Sequence, residues 1–249
     1  MVQRKCNYKI AAVIPCRLES ERLYGKQMQL IGKNQILFYL IQNLKKSKLI
    51  DIIVLAISKK SSNKPLIEFA KENNLNYILG SEHDVLKRLI DAAKKVQAVN
   101  ILRVGSENPF IFYEGIDNLI QKHVKGNYDL STYSDLPLGS SFELVKLSAL
   151  KISHKLGSKR HKSEYSTIFI DENPTRFNIL REKPPKNLRR SKLRLTVDSP
   201  EDLIVIRKIY NAIGNKQKLL PLKQIINFLD KHPKIKKINS NIPLKYKKY

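Results

Sequence analysis

Short apolar runs and longer stretches of helical spacing alternate along the first half of the chain. Residues 9–15 read as a buried strand. Residues 35–46 place Ile36, Leu37, Tyr39, Leu40, Ile41 and Leu44 on one helix face. Residues 51–57, DIIVLAI, form a β-branched run. A helix over 63–74, closed by Asn73-Asn74, leads to a short strand over 76–79. Residues 84–97 are amphipathic with Asp84 at the helix entry, 100–104 are strand-like, and 113–124 are helical. This βαβα alternation predicts a mainly parallel sheet covered by helices on both faces.

The second half is less regular. Strands are expected at 129–132, 141–145, 176–179 and 193–197. Helices are expected at 148–154, 164–171, 200–213 (with Pro200 at the first helical position) and 222–231. Residues 183–192, KPPKNLRRSK, form a polar loop, and the tail from His232 to Tyr249 reads as a loose basic extension. The expected organisation is one domain over 1–213 followed by a C-terminal helix and basic tail over 214–249.

Composition narrows the class. With 249 residues, 42% hydrophobic and 28% charged, the chain is long enough for a large core and has the make-up of a soluble globular protein. It has no apolar run long enough to cross a membrane, and its N-terminus reads as the lead into a strand, so a cytoplasmic location is expected. Cys6 and Cys16 flank the first strand, about 30 Å apart at about 3.3 Å per residue, too far to bridge, and both are expected as reduced thiols. The net charge of +25 invites a polyanion, but the lysines are scattered, and no recognised nucleic-acid module accompanies them. The five histidines, His83, His123, His154, His161 and His232, lack metal-ligand spacing, which argues against zinc.

The chemistry concentrates where the first strand ends, in AAVIPCRLESERLYGK (11–26). Ligands of open parallel sheets bind beyond the carboxyl ends of the strands. The loop has neither G-x-G-x-x-G nor Walker A spacing, which disfavours a dinucleotide fold and a P-loop. It offers Arg17, Arg22 and Lys26 instead, residues suited to phosphate oxygens. By composition alone, a solvated charged turn is the better reading.

Six segments in register resemble the cytidylyltransferases. These are IPCRLESERLYGK, GSEHDVLKRLIDAAK (80–94), ILRVGSENPFI (101–111), LPLGSSFELVKLSAL (136–150), EYSTIFIDENPTRFNI (164–179) and LRLTVDSPEDLIVIRKIY (193–210). The family includes the CMP-KDO and CMP-sialic acid synthetases, and the pattern is most similar to its SpsF-type spore-coat polysaccharide members. The resemblance spans about residues 9–213. It implies a Rossmann-like, GT-A-related, three-layer α/β fold with a mainly parallel mixed sheet. It also implies transfer of CMP from CTP to a sugar or sugar acid for surface glycan synthesis, with Mg²⁺ and a homodimer.

Carried over position by position, the resemblance gives Arg17, Arg22 and Lys26 as the catalytic triphosphate cations. Pro15, Cys16, Arg17, Gly80, Ser81 and Arg103 would bind nucleotide, Glu107 and Asp198 the metal, and Glu143 and Glu164 the acceptor. Several have a plainer reading. Asp198 could be a helix N-cap and Ser81 a helix-entry residue. Arg103 could pair with Glu107, and Glu143 and Glu164 could be surface carboxylates. The basic segment LGSKRHK (156–162) reads as a solvated loop or an anion grip.

Departures from the family pattern are Glu19, which adds negative charge beside the expected triphosphate path, and Tyr24 in place of a loop proline. Others are Glu107 in place of aspartate, Ser141 in place of an acid, and Ser163-Glu164-Tyr165 where the family has Arg-Glu-His. They leave open another nucleotide or acceptor, or a nucleotide-binding homologue with weakened chemistry.

Overall fold

A computed structural model describes residues 9–214 and 219–243. Strands β1 (Ile10–Cys16), β4 (Ile52–Ser58), β5 (Asn76–Gly80), β6 (Asn100–Arg103), β7 (Leu130–Tyr133), β8 (Glu143–Lys146) and β9 (Ile179–Glu182) build one seven-stranded sheet, and β2 (Leu30–Ile31) pairs with β3 (Asn34–Gln35) in a small hairpin. The sheet order is β5-β4-β1-β6-β8-β7-β9. β8 runs antiparallel to both its neighbours, and the remaining pairs are parallel. The helices are α1 (Ile36–Leu44), α2 (Lys64–Glu72), α3 (Val85–Lys95), α4 (Ile116–Lys125), α5 (Leu147–Leu156), α6 (Ile168–Glu172), α7 (Pro200–Ile209), α8 (Leu222–Lys231) and α9 (Pro233–Lys237).

The continuous apolar run of β1 follows from burial on both faces. Ala11 and Val13 enter a core shared with α3, α5 and α6, while Ile10, Ala12, Ile14 and Cys16 enter the larger core shared with α1, α2, α4, α7 and α8. Helices therefore cover both faces, as the mixed three-layer reading requires. Pro15 lies beyond Val13, the last β1 residue paired with β6, so its missing N–H costs no ladder bond on that side.

Several elements differ from the sequence expectation. Residues 193–197 are not a sheet strand. They are extended and buried, but their backbone bonds go to loops: Leu138 N–H donates to Leu193 O (2.9 Å), Leu195 N–H to Leu138 O (2.7 Å) and Val197 N–H to Glu107 O (3.2 Å). The strand expected at 176–179 forms three residues later, in register with β7. The helix expected from 164 starts at Ile168, leaving 163–167 as a loop, and α7 ends in a wide π-type turn over Tyr210–Gly214. The tail is not loose through its described part, because α9 packs on α7 and α8 and Asn239 is buried. Cys16 is a buried free thiol, and Cys6 lies outside the described residues. Among the described residues, no helix is long and apolar enough to cross a membrane.

Candidate active site

Chain order along the sheet reverses at β1, with β4 on one side and β6 on the other, so a crevice opens at the carboxyl end of β1. The loop over residues 17–26 fills the rim of that crevice, and buried polar side chains hold it there. Asn63 accepts from Leu18 N–H (2.8 Å) and donates to Ser58 O (2.9 Å) and Ser58 Oγ (2.7 Å), tying the loop to the end of β4. Gln27 Nε2 donates to Arg17 O (2.7 Å). Gly25 N–H closes the loop on Leu18 O (2.8 Å) with φ at +57°, the left-handed conformation that glycine adopts without penalty.

The loop aims two of its three cations at one carboxylate. Lys26 Nζ lies 2.7 Å from Asp198 Oδ1, and Arg22 Nη2 lies 3.4 Å from the same oxygen. Glu107 Oε2 is 3.9 Å from Lys26 Nζ. The backbone bond from Val197 to Glu107 sets the two carboxylates side by side. Burial is the largest influence on Lys26 and alone would lower its pKa, yet the charges of Glu107 and Asp198 outweigh it and raise the pKa. Burial likewise pushes the Asp198 carboxyl up, but Lys26, Arg22 and Arg194 together hold it below the ordinary aspartate range. Asp198 does not cap α7. Ser199 does, in a reciprocal box with Asp202, which leaves the Asp198 carboxylate facing the crevice.

The residues also fit a divalent cation. Two carboxylates converge on one positively charged point, occupied by an ammonium group. Magnesium is commonly held by one or two carboxylates together with phosphate oxygens and water.

Arg17 is exposed and makes no ion pair among the described residues, although it is close enough to Arg88 to help lower that residue's pKa, after burial. Arg88, 1% exposed, donates from Nη1 to Ser81 O (2.5 Å) and Glu82 O (3.2 Å). It thus fixes the Gly80-Ser81 turn from beneath, next to Cys16. Ser81 Oγ accepts from Asp84 N–H (3.1 Å), so the helix-entry role is present. Burial pushes the Cys16 thiol up to about 12, which keeps it un-ionised as a wall residue. Glu19 does not face the crevice centre. It is bonded to Lys60 (2.7 Å), which also holds Glu82 (3.2 Å).

On the other flank, Arg103 does not pair with Glu107. The β6–β8 register sets it opposite Glu143, and its Nη1 bonds Glu143 Oε2 (3.1 Å) while Nη2 donates to the backbone carbonyl of Glu164. Glu143 is not a surface carboxylate. It is buried and its Oε1 accepts from Thr167 Oγ1 (3.0 Å). Arg103 and Glu143 thereby fasten the 163–167 loop over the crevice. Glu164 is exposed and contributes to raising the Lys26 pKa. Tyr165 is pushed up to about 12 by burial, with Glu164 and Asp198 adding to it. The segment around His161 is a short 3₁₀ turn in which Arg160 and His161 hold Glu172, away from these groups.

The sequence profile of the cytidylyltransferases matches residues 11–235. The chain belongs to the cytidylyltransferase family. It is a CTP-dependent nucleotidyltransferase. It is 35% identical over 237 residues to the uncharacterized protein MJ1063 of Methanocaldococcus jannaschii, covering 94% of this chain and 96% of that one. It is 28% identical over 229 residues to the spore coat polysaccharide biosynthesis protein SpsF of Bacillus subtilis, covering 90% and 95%. Its fold matches a cytidylyltransferase from Leptospira borgpetersenii (TM-score 0.85, 24% identity, 96% of this chain and 100% of that one). It also matches a CMP:2-keto-3-deoxy-manno-octonic acid synthetase solved with CTP (TM-score 0.64, 14% identity, 82% and 99%).

The sequence reading of this cytidylyltransferase missed the residues that hold the site rather than face it. Asn63 and Gln27 look like ordinary polar residues in a row, and only the fold shows them buried. Arg88 carried a faint signal as the charged residue on the apolar face of α3. Arg194 stands inside LRLTVD without drawing attention, and Asn239 lies in a tail read as loose.

Proposed function

We propose that this enzyme transfers the cytidylyl group of CTP to a hydroxyl of a sugar or sugar acid, releasing pyrophosphate, in surface glycan synthesis. The observation that carries the reading is the convergence of Arg22 and Lys26 on Asp198, with Glu107 alongside, at the carboxyl end of β1. The acceptor oxygen would bond to the α-phosphorus, its proton passing to water, while the bond from that phosphorus to the bridging oxygen breaks, so negative charge grows on the departing pyrophosphate. Arg17, Arg22 and Lys26 would hold that charge, the service such cations give in phosphoryl transfer. Bound between Glu107 and Asp198, Mg²⁺ would supply charge neutralisation along the triphosphate. Pro15, Cys16, Gly80 and Ser81 would wall the cytosine, with Arg88 keeping the turn in place.

The acceptor would lie under the 163–167 loop, beside Glu164. Tyr165, neutral across the working pH range, offers a phenol where the family pattern has a histidine. Arg103 and Glu143, being committed to each other, would shape this flank and bind through the loop they fasten.

The test is pyrophosphate release with CTP, UTP, GTP or ATP, Mg²⁺, and a panel of sugar acids and neutral sugars. Release with CTP and at least one sugar-type acceptor, and little with the other nucleotides, is the expected result. No release from CTP with any acceptor overturns the sugar-transfer reading.

A further inference from the structure

Asp198 uses its two oxygens differently. Oδ1 faces the loop cations Lys26 (2.7 Å) and Arg22 (3.4 Å), whereas Oδ2 faces Arg194 Nη2 (3.3 Å). Arg194 is held from behind. Its Nε and Nη2 grip Asp202 at 2.7 and 3.0 Å, and Asp202 is fully buried. Asp202 Oδ2 also accepts the backbone N–H groups of Asp198 (2.9 Å) and Ser199 (3.1 Å). The chain of bonds ends in the C-terminal segment, where Asn239 Nδ2 donates to Asp202 Oδ1 (2.9 Å) and to Arg194 O (3.2 Å). Asn239 is 3% exposed.

We infer that Arg194 and Asn239 are positioning residues that hold Asp198 by Oδ2, so that Oδ1 keeps its aim when a triphosphate draws Lys26 and Arg22 away. The inference rests on the proposed role of Asp198 at the metal–triphosphate site. Without nucleotide, three cations share the Asp198 carboxylate. Phosphate oxygens compete for the two loop cations, neither of which is forked over a second carboxylate. Arg194 is barred from following, because its guanidinium is buried and forked over Asp202. It becomes the one side-chain cation left on Asp198, holding Oδ2 while Oδ1 is free for the metal. Asn239 keeps that fork in register by bonding both its carboxylate partner and its own backbone. The segment after α8 thus reaches the reaction centre through buried polar contacts while touching no substrate.

Outer partners of a metal-binding carboxylate commonly change metal affinity by about 10–100-fold when altered. The probe is Mn²⁺, with free ion followed by electron paramagnetic resonance in the presence of CTP and no acceptor. Arg194→Lys keeps the charge but cannot fork over both carboxylates. It should weaken Mn²⁺ at least about tenfold, while CTP binding in EDTA, measured by calorimetry, stays within about twofold of wild type. Asn239→Asp keeps the shape, loses both donated bonds, and should weaken Mn²⁺ in the same direction. It carries the test if Arg194→Lys fails to fold, as judged by circular dichroism. Folded variants with wild-type Mn²⁺ affinity and only a lower melting temperature overturn the inference, leaving a purely structural ion pair. Asp198→Asn separates the two levels. If it weakens Mn²⁺ while Arg194→Lys and Asn239→Asp do not, only the positioning inference fails. If Asp198→Asn leaves Mn²⁺ affinity unchanged, the metal role of Asp198 fails and the inference falls with it.

Discussion

Replacing Asn63 by alanine tests whether the triphosphate loop is held from below. Asn63 is 1% exposed and makes three hydrogen bonds, one to Leu18 N–H and two to Ser58. Each is worth about 1 kcal/mol net, and the buried Leu18 N–H left without a partner adds to the loss, whereas Ser58 O keeps its bond from Lys60 N–H. A water entering the vacated space would recover part of it, so we expect a total of about 3 kcal/mol. For a chain of this size that corresponds to a fall in melting temperature of roughly 6–12 °C. The functional effect is separate. A loop no longer fixed at Leu18 must be ordered by the ligand, at about 1–2 kcal/mol, or a five- to thirtyfold weaker affinity for CTP. Thermal melts and CTP calorimetry on the same samples read both quantities. Asn63→Asp, which keeps the acceptor for Leu18 N–H but sets a carboxylate against the Ser58 carbonyl, should melt below wild type as well. An Asn63→Ala protein melting within about 2 °C of wild type, with unchanged CTP affinity, would refute the strut.

Further expectations concern charge and backbone. Lys26→Met should lower the rate of pyrophosphate release by about 10²–10³-fold, and steady-state kinetics showing less than a tenfold loss would remove Lys26 from the reaction centre. His123 is buried, accepts from Ser131 Oγ at Nδ1 (2.8 Å) and donates from Nε2 to Asn100 Oδ1 (3.2 Å). Burial, with a smaller push from Lys146, depresses its pKa from 6.5 to about 4. The neutral ring's contribution to stability is therefore full above pH 6.5 and lost as pH falls towards 4, by about 3 kcal/mol. Urea melts of wild type and His123→Gln at pH 7 and pH 4 should show that slope in the former and a flatter one in the latter. Gly139 sits at φ +88°, and a Cβ there would lie 2.4 Å from Thr196 N. Gly139→Ala should cost about 2 kcal/mol or more in urea melts and lower activity, because the segment it displaces carries Arg194 and Asp198.

The parallel core was legible because its signal is local. β1 and β4 are apolar runs buried on both faces, and α3 has a clear apolar stripe with Asp84 accepting from Lys87 N–H at its start (2.7 Å). The extended piece at 193–197 misled for a physical reason. Its alternation reports burial, and burial came from loops rather than from sheet neighbours. Helix α9 and the rest of the described tail were harder to read because single buried residues such as Asn239 leave no periodic trace, whereas α8 forms where its apolar spacing predicts. At the site, Arg22 and Lys26 were legible as charges in the loop after the first strand, whereas Glu107 and Asp198 were marked only by the family resemblance. The partners of Arg103 and Glu19 were not, since β6 pairing with the antiparallel β8 chose Glu143, and Lys60 at the end of β4 captured Glu19. Pairing across a sheet of mixed direction depends on register, and a single sequence does not display it.

The most direct measurement is a crystal structure with CTP and Mg²⁺. The triphosphate should lie along the 17–26 loop with Arg22 and Lys26 turned from Asp198 to phosphate oxygens, and Mg²⁺ should sit between Glu107 and Asp198 Oδ1. A triphosphate bound elsewhere, with Lys26 still 2.7 Å from Asp198, would contradict the assignment of this crevice.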